Sequence, residues 1–177
     1  EDIVEVDSNH KIYSSDKSIS IVDPDAFNPT NFIAMDQPKH DVQRKAVSPV
    51  AAPSNLAQLE SVIREKACGI LDELPIGETF DWVDKVSIEL TARMLATLFD
   101  FPYEDRRNLV HWSDITTDVP QVTGNEIDME ARHASLMECA QAFYALWAQR
   151  AAEPPKTDLI SMLVHGESTK DLNQNPQ

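Results

Sequence analysis

Apolar residues in this chain recur mostly every three or four positions, which predicts helices. Leu56, Leu59, Ile63, Ala67, Ile70 and Leu74 form one such series, starting near Ser54-Asn55 and stopped by Pro75-Ile76-Gly77. A second begins after the cap candidate Asp81, with Trp82, Val86, Leu90, Met94 and Leu98 at intervals of four; Ile88, Leu95 and Phe99 widen the stripe, and Phe101-Pro102 closes it. A third opens at Glu104-Asp105, where acids suit the helix dipole. It carries Leu109, Val110, Trp112 and Ile115 and fades over Thr116 to Pro120. After a loop over Val119 to Asn125, a long helix from Ile127 to Ala152 shows the face Leu136, Ala140, Phe143, Tyr144 and Trp147. Pro154-Pro155 ends it, and a short helix follows from Asp158 to about His165.

Before residue 53 the pattern is less regular. Residues 1–10 predict a short helix, and Lys11 to Ser15 a short strand around Ile12 and Tyr13. Ser18 to Met35 reads as a long irregular segment holding Ile19, Ile21, Val22, Phe27, Phe32 and Ile33. Loops normally run over the exterior, so this much apolar surface either lines a cavity or covers the core. A further helix follows Asp36. Asp36 or Gln37 is placed to cap it, Pro38 suits its first turn, and Pro49 and Pro53 end it. The fold class is mainly α.

Composition narrows the functions. The 177 residues suffice for one core, and 42% hydrophobic with 25% charged is ordinary for a globular chain. No apolar run has the length of a membrane span. The net charge of −15 repels phosphate backbones and argues against nucleic-acid binding. Cys68 and Cys139 lie far apart within predicted helices and read as two buried thiols in a reducing cytoplasm. The chain opens on Glu1 and stops on Asn173-Gln174-Asn175-Pro176-Gln177, which reads as a piece of a larger protein.

Candidate chemistry is sparse. Glu130-Ala131-Arg132-His133 matches one Glu-x-x-His unit of the kind used twice in di-iron bundles, but a second copy is absent. His133 reads as a helix residue at the surface. No nucleophile motif or Gly-rich phosphate loop occurs, and there are only four glycines. His40 and Arg44 stand apart. Four residues separate them, so both lie on one helix face beside the apolar run Phe32-Ile33-Ala34-Met35. A guanidinium grips carboxylate oxygens as a fork, and an imidazole adds a second donor. An apolar wall beside two such groups suits an amphiphilic dianion, of which haem with its two propionates is one.

The run Met35-Asp36-Gln37-Pro38-Lys39-His40-Asp41-Val42-Gln43-Arg44 resembles the pattern Asp-Pro-Pro-x-His-x-x-x-Arg at the C helix of bacterial cytochrome P450 enzymes. It departs from that pattern at Gln37, where the family usually has the first proline. Phe32-Ile33-Ala34-Met35-Asp36, Lys39 to Lys45, Glu78-Thr79-Phe80-Asp81-Trp82-Val83-Asp84, Leu98-Phe99-Asp100-Phe101-Pro102 and Asp158 to Leu163 are similar to the CYP153 alkane hydroxylase group. The resemblance implies the N-terminal and central helical part of the P450 fold, helices B to H, as an incomplete domain. Residues 1–35 would hold the B helix and B–C loop, 36–53 the C helix region, and 54–177 helices D to H.

By the same resemblance His40 and Arg44 hydrogen-bond the propionates of a b-type haem. Ile21, Phe27, Phe32 and Ile33, with Val119 and Pro120 from the F–G side, face an apolar substrate. The oxygen-activating I helix and the Cys ligand loop are missing from this chain. No catalytic residue and no metal ligand is therefore expected in it, and alone it should be inactive. The implied parent is a cytoplasmic monooxygenase hydroxylating medium-chain alkanes or related aliphatics at the terminal carbon. It would use O2 and electrons from a ferredoxin and its reductase. The alternatives are a P450 acting on fatty acids or steroids, and a non-catalytic helical binding or interaction module.

Overall fold

A computed structural model of the chain describes residues 2–16, 32–118, 124, 128–167 and 169. It falls into two compact units, Glu1–Pro49 and Val50–Gln177. Among the described residues there are helices and turns but no strand.

The first unit begins with α1, Asp2–Ser8, none of whose residues is buried. The short strand expected at Lys11–Ser15 is not formed. The Ile12 and Tyr13 amides both donate to the Asn9 carbonyl at 3.0 Å, which makes a turn out of the end of α1. A strand at this site would need a ladder partner, and the described residues offer none. A single 3-10 turn, Phe32–Ala34, precedes α2, Lys39–Val47, and a second 3-10 turn, Ser48–Ala51, follows it.

The second unit contains α3, Pro53–Asp72, with Pro53 in its first turn. Its apolar series is not one buried face. Ile70 is buried, while Leu56 and Ile63 are exposed and, with Leu71 from outside the series, line a shallow groove with Ala57, Ala67 and Cys68. Cys68 is thus exposed, contrary to the expectation of two buried thiols, and Cys139 is partly buried. Burial, followed by the nearby Glu138, pushes the Cys139 thiol above its ordinary pKa.

The helix expected after Asp81 divides in two. Val83–Ile88 is π-helical and Glu89–Phe99 is α4. Asp81 does cap it, accepting the Val83 and Asp84 amides at 2.8 and 3.1 Å. Spacings of four lie between the α and π repeats, which suits a wider turn at the start. α4 ends at Asp100, whose backbone is left-handed (φ 49°). The Phe101 amide then reaches back to the Ala96 carbonyl at 2.9 Å.

After a 3-10 turn at Tyr103–Asp105 come α5, Arg106–Thr117, α6, Met129–Ala152, and α7, Leu159–His165. Asp128 and Asp158 cap the last two. The core joins α4, α5, α6 and α7 through Ala96, Phe101, Leu109, Trp112, Leu146, Ile160 and Val164. Phe143 stands edge-on to Phe99, with centroids 5.4 Å apart, and lies 5.9 Å from Phe101. On α6 the inward face is Cys139, Ala142, Phe143, Leu146 and Trp147. The expected face is therefore rotated. Leu146 replaces Tyr144, which is 59% exposed.

Two buried ion clusters brace this unit. Glu89, 7% exposed, accepts from Arg93 Nε at 2.7 Å, Arg106 Nη2 at 2.8 Å and Arg107 Nε at 3.2 Å. Burial alone would raise its pKa, but hydrogen bonds from Arg93 and Arg106 outweigh that and hold the carboxyl below its ordinary value. Arg150, 3% exposed, ties three helix ends together. It donates to the Asp100 carboxylate at 2.5 Å and carbonyl at 3.1 Å, and to Glu153 at 3.3 Å. Its Nε lies 3.4 Å from Asp158 Oδ2, an ion pair without a hydrogen bond.

Candidate functional site

The candidate site is the start of α2 in the first unit. Pro38 precedes the helix as its N-cap residue and makes no side-chain cap bond. The Gln37–Pro38 peptide is cis. The expectation that Asp36 or Gln37 caps the helix is corrected here. The Asp36 carboxylate turns away from the helix amides and accepts the Ser14 hydroxyl at 2.5 Å and the Ser15 amide at 2.9 Å. The Ser14 hydroxyl, and then the Ser15 amide, hold the Asp36 carboxyl below its ordinary pKa. The backbone carbonyl of Asp36 serves the helix instead, accepting the His40 amide at 3.1 Å.

His40 sits in the first turn of α2, with a side chain 29% exposed. Its Nδ1 lies 2.9 Å from the Asp41 carboxylate. That contact favours a proton on Nδ1 and leaves Nε2 to serve as acceptor when the ring is neutral and donor when it is charged. The Phe32 ring lies 6.1 Å away, centroid to centroid, tilted by 54°. Arg44 follows one turn later and is exposed, as are Lys39 and Lys45. Among the described residues no carboxylate pairs with the Arg44 guanidinium. Four basic or potentially basic side chains on nine residues make α2 a cationic island in a chain of net charge −15.

Phe32 is partly buried and Ile33 is 58% exposed. The fold brings the Phe32 and His40 rings together. Ile21, Phe27, Val119 and Pro120 lie outside the described residues. The pairing of Ser14 and Ser15 with Asp36 was missed from sequence. The partners stand 22 and 21 positions apart, and no periodicity links them. Among the described residues no group of three or more His, Cys, Asp or Glu side chains could hold a metal ion, and His133 is exposed. Nor is any helix among them long and apolar enough to cross a membrane.

No family model matches the chain. Comparison with solved structures gives a clear relation. CYP153D17 from Sphingomonas sp. PAMC 26605 is 43% identical and superposes with a TM-score of 0.80, over 94% of this chain and 42% of its own. The chain belongs to the cytochrome P450 family. It is a P450 of the CYP153 type: cytochrome P450-153 from Novosphingobium aromaticivorans is also 41% identical, with a TM-score of 0.71, over 86% of this chain and 38% of its own. Among curated proteins, a steroid C26-monooxygenase of Mycobacterium tuberculosis is 33% identical over 143 residues, 77% of this chain and 32% of that protein. The chain spans about a third of the length of the curated relatives it matches. Its helices correspond to part of the helical P450 fold, as the resemblance implied.

Proposed function

We propose that the protein carrying this chain is a haem-thiolate monooxygenase that hydroxylates medium-chain alkanes or related aliphatics at the terminal carbon. The observation that carries the reading is the 43% identity to CYP153D17 over 94% of the chain. His40 and Arg44 would hold the haem propionates. The donor set fits that group: a guanidinium with no carboxylate partner among the described residues, one helical turn from an imidazole whose Nδ1 is already oriented, with an aromatic ring beside it. When bound, haem would supply the oxygen-activating chemistry, with the thiolate that this chemistry needs coming from residues other than Cys68 and Cys139.

The part assigned to this chain is to bind, orient and exclude water. Phe32 and Ile33, with Ile21, Phe27, Val119 and Pro120, would form an apolar wall. A hydrocarbon offers no hydrogen-bond handle, so shape and apolar area must position it. Electrons would come from a ferredoxin and its reductase, in the cytoplasm. Lys39 and Lys45, exposed on α2, suit an acidic partner. Reversing both charges should slow reduction of the enzyme at low ionic strength, and unchanged reduction rates would remove these lysines from the docking face.

A second reading, oxidation of steroids or fatty acids, draws on the name of another relative, a steroid C26-monooxygenase. Spectral titration of the whole protein separates the two. The alkane reading expects a haem spectral shift with medium-chain alkanes at lower concentration than with sterols or fatty acids. The reverse order replaces it with the second reading.

A further inference from the structure

We propose that Asp36 is the positioning residue of the propionate-binding pair: its carboxylate, clasped by Ser14 and Ser15, fixes the first turn of α2 and so the direction in which His40 presents its ring. The inference rests on the reading of His40 and Arg44 as propionate ligands and adds to it a residue that touches neither the haem nor the substrate.

α2 begins without a side-chain cap, so nothing on the helix itself fixes its first amides. The one bond made to the His40 amide comes from the Asp36 carbonyl, 3.1 Å away. Asp36 is thus joined to His40 through its main chain and to a distant part of the chain through its side chain. That second attachment is two-pronged. One carboxylate oxygen takes the Ser14 hydroxyl and the other the Ser15 amide. The Ser14 oxygen in turn accepts the Asp16 amide at 3.0 Å, which fixes the hydroxyl that serves Asp36. Two bonds on two different oxygens fix the plane of a carboxylate as well as its position. With its side-chain plane set, Asp36 has little freedom to let its carbonyl swing away from His40.

Phe32 stands four positions before Asp36 in the chain, and its ring meets the His40 ring. His40 is therefore held by a ring contact, by a main-chain bond and, at Nδ1, by the Asp41 carboxylate 2.9 Å away. The first two run through the short stretch that Asp36 pins, whereas the third is local to the helix. Ion pairing explains little of this, because the carboxylate's direct partners are a hydroxyl and an amide and the His10 charge is the weakest influence on it. A residue that only balanced charge or solubilised the surface would not be directed at a backbone amide and a hydroxyl together. The acid of the run Asp36-Gln37-Pro38-Lys39-His40 thereby acquires a role of its own.

The test uses the whole haem protein and five variants: Asp36→Ala, Ser14→Ala, Ser14→Thr, the double variant Asp36→Ala with Ser14→Ala, and His40→Ala as reference. Three quantities are read: the rate of haem transfer to an apo-globin acceptor, the resonance Raman band of the haem propionates, and hydrogen exchange at the His40 amide. Asp36→Ala is expected to speed haem loss by about threefold to tenfold, the scale of one hydrogen bond repositioned rather than removed. It should also shift the propionate band in the same direction as His40→Ala and expose the His40 amide to exchange. Ser14→Ala should do the same to a smaller extent, the double variant should add little to Asp36→Ala, and Ser14→Thr, which keeps the hydroxyl, should match the parent.

The outcomes separate. If His40→Ala changes haem loss and the propionate band but Asp36→Ala leaves both unmoved, the inference fails and the propionate reading stands. If His40→Ala changes neither, the propionate reading fails and the inference falls with it. If Asp36→Ala lowers the thermal midpoint without moving the propionate band, Asp36 is merely structural and the inference is overturned.

Discussion

The two units of the chain are held by opposite means. In Val50–Gln177, four helices close on an aromatic core in which Phe143 touches the rings of Phe99, Phe101 and Trp112. Two buried charges are each met by several partners. In Glu1–Pro49, among the described residues, α1 buries nothing and α2 buries nothing. What order is visible there comes from exposed polar bonds such as those on Asp36, the Phe32–His40 ring contact and one small buried residue, Ala34. The difference separates residues that hold the chain together from residues available to something else. Arg150 and Arg44 carry the same side chain. Arg150 is consumed by Asp100, Glu153 and Asp158, whereas Arg44 faces no carboxylate among the described residues. An arginine that stability does not use is a better ligand candidate than one that helix ends already share.

Arg150→Ala should break the comparison most sharply. It leaves Asp158 buried, with a side chain only 5% exposed and no counter-charge. A loss of about 3–5 kcal/mol is expected, read from the denaturant midpoint of the whole protein. A shift of a few tenths would mean that water or Lys156 takes over the pairing.

Glu89→Gln should cost about 3 kcal/mol near neutral pH, because three arginines lose a shared charge. Its pH dependence gives a second check. The native Glu89 carboxyl is held below its ordinary value. The stability it adds is therefore present above the ordinary carboxylate range and is lost as pH falls through the depressed value. Parent and variant should converge on acidification, and a constant gap across pH would count against the charge as the cause.

Trp112→Phe should matter much less. The Trp112 indole N–H is buried and finds no acceptor among the described residues, so its removal gives up no hydrogen bond. The smaller ring leaves a gap that offsets this, and a net change under about 1.5 kcal/mol is expected by thermal unfolding.

On the other side of the comparison, His40→Ala with Arg44→Ala should leave the unfolding midpoint of the haem-free protein where it was. Haem retention should fall through the loss of charge-assisted bonds of about 1.5–3 kcal/mol each. Equal losses in stability and haem retention would erase the distinction between the two units.

Much of the helix order was legible in the residues. Acid punctuation marked where α5 and α7 begin, and the one cap candidate named beyond residue 53, Asp81, does cap its helix; Asp128 and Asp158 also cap theirs, although neither was singled out as a cap. Caps are local, and a residue two or three positions away decides them. The same logic failed at Asp36, where a distant serine pair competes for the carboxylate. It failed again on α6, where Tyr144 and Leu146 are both plausible face residues and only the approach of Phe101 and Trp112 selects one.

By itself the sequence determined the mainly helical class, the positions of most helices, and the placing of His40 and Arg44 on one face, because a spacing of four is a property of the helix and needs no neighbours. Tertiary structure alone decided which arginine is spent and which is left available, which carboxylates are buried, and what Asp36 holds. Those depend on contacts that reach 17 to 50 positions along the chain, and the cost of burying a charge is set by what folding brings beside it.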